Sequence, residues 1–196
     1  MPRGRAEVER KTKETQIRLS IDLDGVGKSE VNTGVGFFDH MLTALAKHGL
    51  FDLQVQAKGD LEIDPHHTVE DVGILVGQAI GKALGDKAGI ARFGWAVVPM
   101  DEALVLTSID LSGRGLLCYD VRIEQEKIGV LDTVLISEFF ESVARNAEMT
   151  LHIRGLSGED PHHTAEAIFK SFAKALQAAT RVSERVKGVP STKGVL

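Results

Sequence analysis

The sequence predicts an α+β protein built from two similar halves, and three observations predict it. The segment Asp64-Pro65-His66-His67-Thr68-Val69-Glu70 recurs, with one change, as Asp160-Pro161-His162-His163-Thr164-Ala165-Glu166. Each copy opens a stretch whose apolar residues recur at helical spacing. Each copy also follows a short strand-like run, at residues 51–55 and 149–153. Two copies point to duplication and twofold pseudosymmetry, because a solenoid needs at least three repeats.

The elements follow in chain order. Residues 15–22 alternate as a strand does. Phe37-Phe38-Asp39-His40-Met41-Leu42 heads a first helix, and Ile136-Ser137-Glu138-Phe139-Phe140 heads its counterpart in the second half. After each motif a helix is well signalled. Asp64 suits the N-cap and Pro65 the first helical position, as do Asp160 and Pro161. Val69, Val72, Val76, Ala79, Ile80 and Ala83 make one buried stripe; Ala165, Ile168, Phe169, Phe172 and Leu176 make the other. Further strands are expected at 95–99, 103–111 and 116–123, with Ser112-Gly113-Arg114-Gly115 as the turn between the last two. The joint falls in 85–94, giving one domain of two halves, about 1–92 and 93–196.

Composition narrows the function. The formal charge is -5, so nothing global attracts nucleic acid or an anionic membrane, and an anionic ligand needs a local basic pocket. Cys118 is the single cysteine, which excludes an intrachain disulfide. No apolar run approaches the roughly 18 residues of a membrane span. Residues 1–10 carry charge of both signs with no apolar segment behind them, unlike a signal peptide. A cytoplasmic protein is expected.

The repeated motif points to metal. Neighbouring side chains on a helix diverge by about 100°, so His66 and His67 cannot easily grip one ion. His66 and Glu70, four apart, share a face. Each helix start thus offers a His-Glu pair to one ion and a lone His to another. Two symmetric copies favour two sites with exchanged roles. Imidazole and carboxylate without thiolate suit Mn, Fe, Ni, Zn or Cu better than Ca or Mg. A helix N-terminus repels a cation by roughly 0.3–1 kcal/mol, which the roughly 10–16 kcal/mol of a good metal site outweighs. One His-His pair is usually coincidence; two copies in matched contexts are not. His40 before the first motif and Glu138 before the second join the candidate ligands. His48 ends the helix of His40, where the helix dipole favours a protonated ring. His152, within a strand pattern, reads as structural.

Taken together, these segments resemble the imidazoleglycerol-phosphate dehydratase family. The resemblance spans nearly the whole chain. It includes Arg10-Lys11-Thr12-Lys13-Glu14-Thr15, Gly34-Val35-Gly36-Phe37-Phe38-Asp39-His40-Met41-Leu42, both motifs, Ala91-Arg92-Phe93-Gly94, Pro99-Met100-Asp101-Glu102-Ala103-Leu104, Asp110-Leu111-Ser112-Gly113-Arg114 and Pro190-Ser191-Thr192-Lys193-Gly194-Val195-Leu196. It implies dehydration of D-erythro-1-(imidazol-4-yl)glycerol 3-phosphate in histidine biosynthesis, with two Mn2+ per subunit, or other divalent transition metals, holding the substrate ring as imidazolate.

The resemblance also implies roles. One metal takes His40, His67, His162 and Glu166; the other takes His66, Glu70, Glu138 and His163. Many members carry His at the position of Glu138, and carboxylate can replace imidazole there. Glu14 matches a position for acid–base work and substrate contact, and Asp101 is a second candidate for proton handling. Arg92, Arg114, Lys170 and Lys193 match basic positions for the phosphate, with Ser191 and Thr192 as hydrogen-bond donors and His48 and Gln54 lining the site. The implied fold gives each half a four-stranded sheet and two helices, the helices sandwiched between the sheets. The implied assembly is a 24-mer built from trimers, with active sites at subunit contacts.

Two other readings compete: a two-metal phosphate-ester hydrolase and a metal-storage protein without catalysis. Inorganic phosphate released without ketone marks the first. Loss of metal with no turnover to lose marks the second.

Overall fold

In a computed structural model, described over residues 4–196, the alternating segment Thr15–Asp22 is an inner strand of a first sheet. Its even-spaced apolar side chains Ile17, Leu19 and Ile21 are buried, and the residues between them face outward. β1 (Arg5–Lys11) pairs antiparallel with this strand, β2, along its whole length. β4 (Asp52–Gly59) pairs on its other side, and β3 (Ser29–Asn32) joins β4 in parallel, giving the order β1-β2-β4-β3. The second sheet repeats the plan. β5 (Phe93–Met100), β6 (Ala103–Asp110), β7 (Leu116–Asp120) and β10 (Thr150–Ser157) lie in the order β5-β6-β10-β7, again with one parallel outer pair.

A parallel pair needs a crossover. α1 (Gly36–Gly49) supplies it in the first half and α3 (Val134–Asn146) in the second. α2 (His66–Leu84) and α4 (Pro161–Thr180) follow the motifs. The second half also carries a small hairpin of β8 (Lys127–Ile128) and β9 (Leu131–Asp132) before α3.

α2 covers β1 and β2, and α4 covers β5 and β6. Between the sheets, α1 packs on α4 and α2 on α3, so each helix pair takes one member from each half. One continuous apolar core results, with Phe38, Phe139, Phe140, Phe169 and Phe172 fully buried in it.

The α2–α3 contact is close because Gly73 and Gly77 face it. A Cβ on Gly73 would stand 2.8 Å from the Phe139 carbonyl oxygen, and one on Gly77 would stand 2.7 Å from that of Val143.

Several boundaries differ from expectation. α1 begins at Gly36, one residue before the segment expected to head it, so His40 lies one turn inside. In the first copy the helix starts at His66; the Asp64 carboxylate still accepts the His66 N–H at 2.7 Å. In the second copy Asp160 caps as expected, accepting from His162 and His163, with Pro161 first in the helix. The strands expected at 103–111 and 116–123 end at Asp110 and Asp120. β1 and β3 were not anticipated: both are outer strands whose exposed faces carry charged or polar residues, which hides the alternation. Residues 1–3, part of the segment unlike a signal peptide, lie outside the described residues. Among the described residues no helix is long and apolar enough to cross a membrane.

Candidate metal centre

The Asp160 cap and Pro161 start α4 so that His162 sits in its first turn and Glu166 one turn later on the same face. α1 brings His40 to that face. Nε2 of His40 lies 2.8 Å from Oε1 of Glu166, and Nε2 of His162 lies 3.2 Å from the same oxygen. The other carboxylate oxygen pairs with Lys170. Burial pushes the Glu166 carboxyl up, but Lys170, His40 and His162 together outweigh that and hold it at about 2. The edge of the Phe37 ring packs against His162.

His40, His162 and Glu166 are, among the described residues, the only group of three or more such donors whose ligand atoms all lie within 4.8 Å of one another. Two imidazoles converging on a nearly buried, ionised carboxylate fit a divalent transition metal.

The first motif is more open. Nε2 of His66 lies 4.0 Å from Oε2 of Glu70, and both side chains are about half exposed. Gly73 meets Ser142, and Gly77 meets Asn146, so α2 and α3 run side by side in one direction. Glu138, one turn before Ser142, is therefore level with Glu70 on α2.

The second histidine of each motif diverges from the first, as helix geometry requires, and each finds a carboxylate of its own. Nδ1 of His67 lies 3.0 Å from Asp60, and Nδ1 of His163 lies 2.8 Å from Glu102. These hydrogen bonds raise the pKa of both rings. The Glu102 carboxyl is lowered to about 2, first by the Asp160 backbone N–H and then by His163. Within one chain His67 is not joined to His40, His162 and Glu166.

The two acids singled out for proton handling occupy matching places. Glu14 lies in the β1–β2 turn, where its charge acts on His67; Asp101 lies in the β5–β6 turn, 3.5 Å from Nε2 of His163. Asp60 and Glu102 were missed. No local pattern marks either, and Glu102 lies 61 positions from its partner.

The basic residues divide into two groups. Lys170 stands at the metal cluster, with Met100 beside it. His48 follows it there, and its pKa is lowered by burial and then by Lys170 and Lys174; desolvation and two cations overrule the helix dipole invoked above. Arg92 lies at the other end of α4, where its backbone N–H meets the Ala179 carbonyl. Its guanidinium holds Asp110 at 2.7 Å and the Pro190 carbonyl at 2.8 Å. The C-terminal tail carries Ser191, Thr192 and Lys193 through this region, and its last residue, Leu196, packs against Gly113 beside Arg114. Gln54 lies on the outer face of the first sheet, hydrogen-bonded to Ser20.

Fold and site define a duplicated α+β protein with an imidazole–carboxylate cluster able to hold a metal ion. Residues 33–176 match the sequence pattern of imidazoleglycerol-phosphate dehydratase, and the chain belongs to that family. The imidazoleglycerol-phosphate dehydratase of Acetivibrio thermocellus is 61% identical over 190 residues, covering 97% of each chain. That of Desulforamulus reducens is 56% identical over 191 residues, also covering 97% of each. The crystal structure of the Pyrococcus furiosus enzyme superposes with a TM-score of 0.84 at 42% identity, covering 96% of this chain and 100% of that one.

Proposed function

We propose that this chain dehydrates D-erythro-1-(imidazol-4-yl)glycerol 3-phosphate to 3-(imidazol-4-yl)-2-oxopropyl phosphate and water, in histidine biosynthesis. The observation that carries the reading is the convergence of His40, His162 and Glu166 from two halves of a family member. One ion would be held by His40, His162 and Glu166 with a His67, the other by His66, Glu70 and Glu138 with a His163. Bound Mn2+, or a similar ion, supplies Lewis acidity that stabilises negative charge on the substrate ring.

The chain's own groups do the rest. The proton to be removed is not beside a carbonyl, so the ring must activate it. Glu14 takes or returns protons beside His67, with Asp101 in the matching place beside His163. The side-chain hydroxyl leaves as water, and the resulting enol tautomerises to the ketone. Arg92, Arg114 and Lys193 bind the phosphate, with Ser191 and Thr192 donating hydrogen bonds; the Arg fork suits its oxygens. Lys170 and His48 line the ring end.

One chain does not suffice. Glu166 and Ala179 are thirteen residues apart on α4, about 20 Å along a helix. A substrate with three carbons between ring and phosphate cannot reach from the cluster to Arg92. The ring end and the phosphate end therefore come from different subunits of a homo-oligomer, a 24-mer built from trimers, working in the cytoplasm. Each subunit is one domain of two halves, about 1–92 and 93–196.

The test is a ketone assay on imidazoleglycerol phosphate with and without Mn2+. Ketone formed only with metal supports the reading. Inorganic phosphate released without ketone would sink it in favour of a hydrolase.

A further inference from the structure

Adjacent histidines that diverge along a helix each need their own support. His67 has Asp60, whose Oδ2 lies 3.0 Å from Nδ1, and His163 has Glu102, whose Oε2 lies 2.8 Å from Nδ1. The two acids come from different places: Asp60 directly follows β4, whereas Glu102 lies in the β5–β6 turn. Simple duplication would have placed both acids at the same point of each half. The same contact is instead made twice from unrelated positions, onto the same ring atom.

Each carboxylate turns one oxygen to the ring. Oε1 of Glu102 accepts the backbone N–H of Asp160 at 2.8 Å and of Glu159 at 3.3 Å, leaving Oε2 to the ring. The Asp60 side chain is only 13% exposed, and its Oδ1 has no hydrogen-bond partner among the described residues, so the ring is what Asp60 binds. The first histidines of the motifs differ. Nε2 of His66 faces Glu70 and Nε2 of His162 faces Glu166.

We propose that Asp60 and Glu102 are positioning residues that fix the tautomer and ring orientation of His67 and His163. An ionised carboxylate only accepts hydrogen bonds, so Nδ1 carries the hydrogen and Nε2 keeps its lone pair for a metal. The acid also makes the ring a stronger donor. The inference rests on the two-ion reading above. It adds that each ion depends on one acid that never touches it.

The experiment is Mn2+ titration of the full-length protein, read by electron paramagnetic resonance. It compares wild type, Asp60→Asn, Glu102→Gln and the double variant. Glu102→Gln keeps an oxygen for the Glu159 and Asp160 N–H groups and turns an amide donor toward Nδ1, which favours the opposite tautomer. Circular dichroism of the metal-free proteins checks folding, and Asp60→Glu restores a carboxylate where Asp60→Asn removes it. Each single variant should weaken one of the two sites by roughly 10–100-fold, and the double variant both. Asp60→Glu should recover part of the loss. Wild-type affinity at both sites in the double variant overturns the proposal, as does equal weakening of both sites by each single variant. A wild type that binds two Mn2+ and forms no ketone overturns the dehydratase reading instead, and leaves this one standing.

Discussion

Nε2 of His40 meets Oε1 of Glu166 at 2.8 Å across 126 positions of the chain. The contact exists because α1 of the first half packs on α4 of the second, while α2 packs on α3. Among the described residues, neither half alone holds a cluster of this kind. The crossing is thus a property of helix packing between the halves.

Glu166→Gln tests the cluster directly. The amide keeps the shape but loses the charge that Lys170, His40 and His162 stabilise. One Mn2+ per chain should be lost, and ketone formation should fall by more than the roughly 10–100-fold typical of outer-sphere changes. Two Mn2+ retained at wild-type affinity would show that Glu166 is not a ligand.

Gly73→Ala tests the α2–α3 contact. Ala is a better helix former than Gly by roughly 0.5–1 kcal/mol, which alone predicts stabilisation. The added Cβ would stand 2.8 Å from a carbonyl oxygen and 2.9 Å from the Ser142 Cβ, both on a packed helix. Overpacking of that kind costs roughly 1–3 kcal/mol, so the net effect should be a lower urea midpoint. An unchanged or higher midpoint would show that α3 yields freely.

The candidate cluster was legible in the sequence because donors within a motif are local. The Asp-Pro start, which holds fully in the second copy, and the placing of a histidine and a glutamate one turn apart on one face follow from helix geometry. His40 was legible by its place before the motif. Asp60 and Glu102 were not, because their role depends on how turns fold back onto a helix start. β1 escaped notice for a related reason: Arg5, Glu7, Glu9 and Lys11 are the solvated face of an outer strand, and on its other face only Ala6 is fully buried, beside an Arg10 that pairs with Asp71.

The pH dependence of the metal-free chain has two limbs. Glu166 is held at about 2, below its ordinary 4.5, so its stabilisation is full above about 4.5 and is lost as pH falls toward 2. His67 and His163 are raised above 6.5, so theirs is full below about 6.5 and is lost as pH rises through the raised values. The urea midpoint should therefore peak between these limits, and Glu166→Gln should make the acid limb shallower without abolishing it, because Glu102 is held at about 2 as well. A midpoint that rises steadily from pH 3 to 8 contradicts this. Turnover runs the other way at the neutral end. Protons compete with metal for imidazole, so activity should fall with decreasing pH, beginning somewhat above 6.5.

Metal removal should shrink the particle. In the proposed site each centre would take three donors from one chain and a fourth from a neighbouring subunit, so a bound ion would tie chains together. Light scattering after chelation should report a smaller assembly that re-forms with Mn2+. An unchanged particle, with metal loss verified by elemental analysis, would place the whole ligand set within one chain.

Glu138 is the place where the two halves break symmetry, since His40 stands at the corresponding position. The α2–α3 register sets Glu138 level with Glu70, and both carboxylate and imidazole suit a Mn2+-type ion. Charge is then negotiable while a donor atom is not. Glu138→His should keep both ions and most turnover, because it replaces one ligand by another of similar reach. Glu138→Ala should lose the ion at His66 and Glu70 and spare the one at His40, His162 and Glu166. Equal metal content in the alanine and histidine variants would show that Glu138 only packs against α2.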